Sequence, residues 1–167
     1  MIPPHSKQKI PIPKRDFERR TNIDFPKYRY VPGLNPHPIR DPNGHLYNGS
    51  PCFPQGVSWD CDEQFLYGAD LFDARFVWEA HENWEHCWRR AFGRERQCIQ
   101  GLIQIAASVL KHHLDDVSPR DRLFSSAKQK LSCCAELGWD FRRLLSDVTV
   151  FFHGGDWPLL GAGFPRR

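Results

Sequence analysis

No apolar run in the 167-residue sequence approaches the roughly 20 residues that a membrane-spanning helix requires. The opening stretch MIPPHSKQKIPIPKRDFERR has no apolar signal core, which predicts a cytoplasmic protein. The six cysteines include no Cys-x-x-Cys pair, and in that compartment they are expected to be reduced thiols. Also missing are a zinc finger, an aromatic RNA-binding signature, a glycine-rich phosphate loop and any internal repeat. These gaps argue against nucleic acid as the main partner.

Proline is absent between Pro54 and Pro119, whereas 11 of the 14 prolines precede residue 55. Proline fixes its own φ and disfavours a helical residue before it. Residues 1–60 are therefore expected to be extended or turn-rich. Net charge is only +3, yet residues 1–30 carry eight Lys or Arg against three Asp or Glu. We read residues 1–27 as a basic tail, with its first 20 or so disordered. An alternative gives this tail an acidic partner or nucleic acid, with strong salt dependence as its signature. Residues 28–61 contain tyrosines, Phe53, Trp59 and leucines that can pack, with turns at Pro32–Gly33 and Asp41–Gly44. They are expected to form an ordered arm.

From Asp62 the apolar spacing becomes helical. Four helices are expected, at 62–91, 94–115, 119–137 and 139–152. Gly93, Gly138 and the His153–Gly155 stretch are the breaks, and Ser118 with Pro119 is read as an N-cap followed by a first-turn proline. The short connections imply antiparallel neighbours. The fold class is all-α: a small antiparallel bundle with a three-helix core, a fourth helix over residues up to 152, and a C-terminal tail at 153–167. The first two helices should meet through Val77, Trp84, Trp88, Leu102, Ile103 and Ala106.

The stretch HENWEHCW, residues 81–88, carries the densest chemistry. On a wheel of about 100° per residue, His81 falls inside the apolar stripe with Glu85 beside it. Glu79, Glu82 and His86 fall on the polar side. His81 and Glu85 are thus expected to be buried, and Glu82 and His86 markedly more exposed. A buried carboxylate needs a partner, a metal or a proton, and positions i and i+4 bring two ligands together. A catalytic zinc takes three protein ligands, so His37 and His45 of the arm are candidates to complete a site with His81 and Glu85. Opposite lie Gln100, Gly101 and Gln104. Gly101 would let the helix backbones approach, and the two amides would satisfy the pair in a purely structural network. Both readings stand. A zinc site in the arm from Cys52, Cys61, His37 and His45 matches no standard module.

The segment LFDARFVWEAHENWEHCWRRAFGRERQCIQGLIQIAAS resembles the family of unknown function numbered 309. Its hallmark is His, three residues, Glu, two residues and an aromatic, followed by a Gly-Leu-Ile-Gln helix. Here these fall on His81, Glu85 and Trp88, and on Gly101–Gln104, within residues 65–131. His37 and His45 resemble the arm of a longer subgroup. The resemblance implies an all-helical fold and a metal-binding or hydrolase-like role for the motif, with His81 and Glu85 as catalytic or metal groups. The family's frequent histidine late in the second helix falls near Lys111, with His112 and His113 after it. Glu82, Gln100 and Gln104 would support the pair while Trp84 and Trp88 wall the pocket. The partner would be a metal ion or unknown small molecule. The competing class is a non-catalytic interaction or scaffold module, one that can dimerise.

Overall fold

The computed structural model describes residues 17–49, 51, 53–56, 58–161 and 164. Five α-helices form in chain order: α1 Glu63–Asp73, α2 Val77–Arg90, α3 Gly93–His113, α4 Val117–Leu131 and α5 Arg142–Phe152, with a short 3-10 turn at Cys134–Leu137. No strand occurs among the described residues. No described helix is long and apolar enough to cross a membrane.

The expected first helix is two helices. At Arg75 the backbone enters the left-handed region, φ 69°. The Phe76 amide bonds Leu71 O at 2.7 Å and the Arg75 amide bonds Phe72 O at 2.9 Å. This is a Schellman ending, usually built on glycine, here carried by arginine and closed by the buried Leu71 and Phe76. The end of α3 repeats the device at Asp115, φ 57°, with Asp116 N bonding Lys111 O at 2.9 Å. As a result α4 begins at Val117, and Ser118 is inside the helix accepting from Arg122 Nη1 at 2.8 Å.

The first three helices pack in sequence, and α3 is central, contacting both α2 and α4. Only Ala91 and Phe92 separate α2 from α3, so their packing requires an antiparallel course. Val77, Trp84, Leu102, Ile103 and Ala106 are buried, and Trp88 is half-buried against the core. Two glycines make room for this packing. A Cβ on Gly68 would lie 2.5 Å from the Trp84 indole nitrogen. A Cβ on Gly101 would lie 2.6 Å from Leu131 Cδ2. Gly101 therefore admits α4, not α2 as the sequence suggested.

Around α1 the packing is polar as well as apolar. Asp70 and Asp73 are 0% and 1% exposed. Arg20 Nη1 reaches Asp70 Oδ1 at 3.2 Å and Asp73 Oδ2 at 3.1 Å, and the Arg20 and Thr21 amides bond Asp70 at 2.8 and 2.9 Å. The same guanidinium bonds the Gly161 and Phe164 carbonyls, while Leu160 N bonds Asp73 Oδ1 at 2.7 Å. Phe17, Ile23 and Phe25 pack on the core. The chain is therefore placed on the helices from Phe17 onward, inside the stretch expected to be disordered. The rest of that stretch lies outside the described residues. Asp62 performs a similar task for the arm's far end. It caps α1 at Phe65 N (2.9 Å), accepts from Gly56 N (3.2 Å) and binds Arg90 Nη2 (2.7 Å).

Cys98 and Cys134 form a disulfide, Cα–Cα 5.8 Å, across 36 residues. The expectation of six reduced thiols fails at this pair. Tertiary packing of α3 against the 3-10 turn brings the two sulfurs together, which sequence spacing does not reveal.

Removing Arg20 leaves buried Asp73 without its cation and buried Asp70 with only Arg19, 3.9 Å away, whereas burying a matched pair is nearly neutral. Arg20→Ala should lower the unfolding free energy by about 3–5 kcal/mol, read by urea denaturation. A loss under about 1 kcal/mol, the worth of a surface pair, would show that the arm is not held this way.

Candidate functional site

On α2 the expected pair does meet. His81 Nε2 lies 3.8 Å from Glu85 Oε1, and His81 Nδ1 lies 3.4 Å from Glu82 Oε1. Glu85 is shared with Arg89 at 3.5 Å. Burial does not follow the wheel. The side chains of His81 and Glu85 are 26% and 35% exposed, against 24% for Glu82, and His86 is half-buried with its pKa lowered mainly by desolvation. The interhelical network is not formed either: Gln104 Oε1, Trp88 Nε1 and His81 Nδ1 are buried without a hydrogen-bond partner. Gln100 is half-buried. Trp84 is wholly buried, its indole donating to Phe65 O at 3.2 Å, and Trp88 lies under Arg96, 3.8 Å from the ring centre. Both tryptophans are packing residues here.

The reason for the misreading is the arm. It lies on the face that the wheel marked polar, so that face is interior too. Glu79, assigned to solvent by periodicity, is 2% exposed. Its Oε1 accepts from Tyr30 N at 2.8 Å and lies 3.5 Å from His45 Nε2, and its Oε2 has no partner. Desolvation pushes its pKa up to about 8, against the lowering effects of the Tyr30 N–H and Arg29. The His45 side chain is 6% exposed, neither ring nitrogen makes a hydrogen bond, and burial lowers its pKa. The His45 ring stands edge-on to Tyr28 at 4.6 Å. Both groups are thus driven toward their uncharged forms near neutral pH.

A small pocket of about 50 Å³ opens beside them between the arm, α1 and α2. Its polar wall is His45, Gln64, Tyr67, Glu82, Asn83 and His86, and its apolar wall includes Leu46 and Phe53. Asn83 is fixed by donating to Glu79 O at 3.0 Å and Tyr67 by donating to Asp24 O at 2.8 Å.

Of the arm histidines, only His45 reaches this place. His37 is 5.1 Å from the Tyr30 ring and 5.7 Å from that of Trp78, and its Nδ1 accepts from the Ile39 and Arg40 amides at 3.3 Å. It serves a turn, away from the metal role expected of it. His112 is occupied elsewhere, near Arg120 Nη1 at 3.2 Å and against Phe151 and Phe152. Cys52 is outside the described residues, and Cys61 turns to Ser58.

For a metal the donor set is thin. Among the described residues, one group of three His, Cys, Asp or Glu side chains has its ligand atoms within 4.8 Å of one another, and it is Cys98, Cys133 and Cys134. His81–Glu85 and His45–Glu79 each supply two donors. Neither alone makes up the three protein ligands of a catalytic zinc.

Sequence reasoning missed Glu79, Gln64, Tyr67 and Asn83. One signal was available: an aromatic arm ordered against the bundle must cover something.

The class is an all-helical bundle closed on one side by an extended arm. Within it, residues 65–119, spanning α1 to the start of α4, match the family described as a domain of unknown function (DUF309). The match covers about a third of the chain and is confined to these helices. No curated protein and no solved structure matches the chain.

The buried carboxyl of Glu79 should be visible in the pH dependence of stability. Its folded pKa of about 8 exceeds the 4.5 of an ordinary glutamate. Its contribution is therefore complete below about 4.5 and is lost as pH rises through about 8. Glu79→Gln keeps an uncharged group and removes that loss. Urea melts from pH 5 to 9 should show the variant gaining on the wild type by on the order of 3 kcal/mol. Parallel curves would mean that Glu79 is ionised in the folded protein.

Proposed function

We propose that the pocket between the arm and α2 is a small-molecule site whose reactive core is the His45–Glu79 pair. The observation that carries this reading is Glu79: a carboxyl 2% exposed, with one oxygen unpartnered, set 3.5 Å from a buried imidazole that itself lines the pocket. A carboxyl with a pKa near 8 beside an uncharged imidazole is an acid–base couple poised close to neutral pH. Glu79 holds the proton, and His45 can take one from, or return one to, a ligand in the pocket. Glu82 and His86 supply the charge and hydrogen bonding that orient a small polar ligand, with Asn83 and Gln64 as amides. Leu46 and Phe53 offer an apolar surface to its other side.

This reading keeps the small-molecule site expected from the motif and moves its centre from His81 to Glu79. His81 and Glu85 lie around the helix from it, joined through Glu82, which faces both His81 Nδ1 and the pocket. Whether the ligand is turned over or only bound rests with His45. Hydrolysis would need it as base, whereas a binding module would need only its hydrogen bonds.

A thermal-shift screen of small polar compounds, with zinc chloride as a separate probe, tests the assignment. A compound that fits should raise the Tm of the wild type by several degrees. The same compound should lose its effect on Glu79→Gln and on His45→Ala and keep it on His81→Ala. Binding lost in His81→Ala and kept in the other two would return the site to the motif face.

A further inference from the structure

The three sulfurs beside the α3–α4 contact are unlike one another in access. Cys98 and Cys134 are bonded and each is 0% exposed. Cys133 is a free thiol, half-buried, with its Sγ 2.9 Å from Lys130 O and 3.7 Å from Gln97 Oε1. All three sulfurs lie within 4.8 Å of one another. A dissolved oxidant or reductant cannot touch the bonded pair without opening the core, because thiol–disulfide exchange requires direct approach of one sulfur to another. It can touch Cys133. Vicinal cysteines do not readily bridge to each other, so Cys133 is left to exchange with Cys98 across the helix contact.

We propose that Cys133 is the entry thiol of a disulfide-exchange site, the place at which low-molecular-weight disulfides and thiols write to and erase the Cys98–Cys134 bond. In the closing direction, the Cys133 thiolate attacks one sulfur of a small disulfide. That S–S bond breaks, one small thiolate leaves, and a mixed disulfide forms on Cys133. Cys98 attacks Cys133 Sγ and expels the second small thiolate. Cys134 then attacks Cys98 Sγ, and Cys133 departs as a thiolate. Two electrons pass from Cys98 and Cys134 to the small disulfide, which ends as two thiols carrying the two protein protons. Reduction by a small thiol runs the same steps backward. The ligand class is a peptide-sized or smaller disulfide, and the modification is transient S-thiolation at Cys133.

The bond so controlled ties α3 to the 3-10 turn, and the next residues, Trp139 and Phe141, enter the core against Phe65 and Phe164. Writing the disulfide therefore fixes the connection to α5, without involving the pocket under the arm.

The test uses the full chain, reduced with a dithiol, desalted and exposed to oxidised glutathione, with acid-quenched samples read by mass spectrometry. Cys133→Ser and Cys133→Ala should close the Cys98–Cys134 bond at least tenfold more slowly than wild type and reach the same product. The double variant Cys98→Ser with Cys134→Ser should accumulate one glutathione at Cys133, located by peptide mapping. Closure at the wild-type rate in both Cys133 variants would overturn the proposal, since it would mean that the buried pair is reached by local opening. So would a double variant that carries no adduct at Cys133.

Discussion

The grip of Arg20 on Asp70 and Asp73 is the constraint on which the remainder of the architecture depends. A guanidinium with five donors is matched here to two carboxylates and two C-terminal carbonyls. Those carboxylates sit on α1, and α1 is buried nearly all round. Desolvation raises the pKa of Asp73, and Arg20 and the Leu160 amide oppose that rise. A matched set of this kind contributes little net stability, but any mismatch is costly. It therefore acts on register: the segment that leads into the arm lies on α1 where Arg20 meets both acids. The tail is registered by the same residue.

That register decides what covers Glu79 on α2. With Thr21 on Asp70 and Tyr30 N on Glu79, the arm runs across α2 and carries His45 onto a carboxyl that would otherwise face water. Desolvation is the largest effect on Glu79, and it outweighs the backbone hydrogen bonds and the charge of Arg29 that favour the ionised form. Arg29 is itself pushed down to about 10 by burial and by Arg75, so it stays charged at neutral pH and its pull on Glu79 is outweighed by desolvation. The balance explains why a carboxyl with a cation nearby still holds its proton near neutral pH.

Helical periodicity carried the all-helical character, the break at Gly138 and the stop at His153, but counted four helices where there are five. It did not carry the interruption at Arg75, because a left-handed residue there is normally glycine or asparagine and the turn is maintained by Leu71, Phe72 and Phe76 through backbone bonds. Nor did it carry the burial of Glu79. A wheel assigns one inside and one outside to a helix, and α2 has a bundle on one side and an arm on the other. The His81–Glu85 proximity was legible because i, i+4 spacing is local. The Cys98–Cys134 bond was not, because its 36-residue span is closed by tertiary packing alone.

The motif face and the pocket are one electrostatic system rather than rival sites. Glu79, Glu82 and His86 recur at helical spacing on α2, and His81 and Glu85 flank them one residue away. Glu82 raises the Glu79 pKa and, by the same negative charge, opposes the lowering of the His86 pKa. It also faces His81 Nδ1. A ligand proton or cation that neutralised Glu82 would relieve repulsion on Glu79 and loosen the hold on His81 together. The compact run of His and Glu in residues 79–86 thus shares one acid group, Glu82, at its centre, while the arm places His45 3.5 Å from the inner carboxyl.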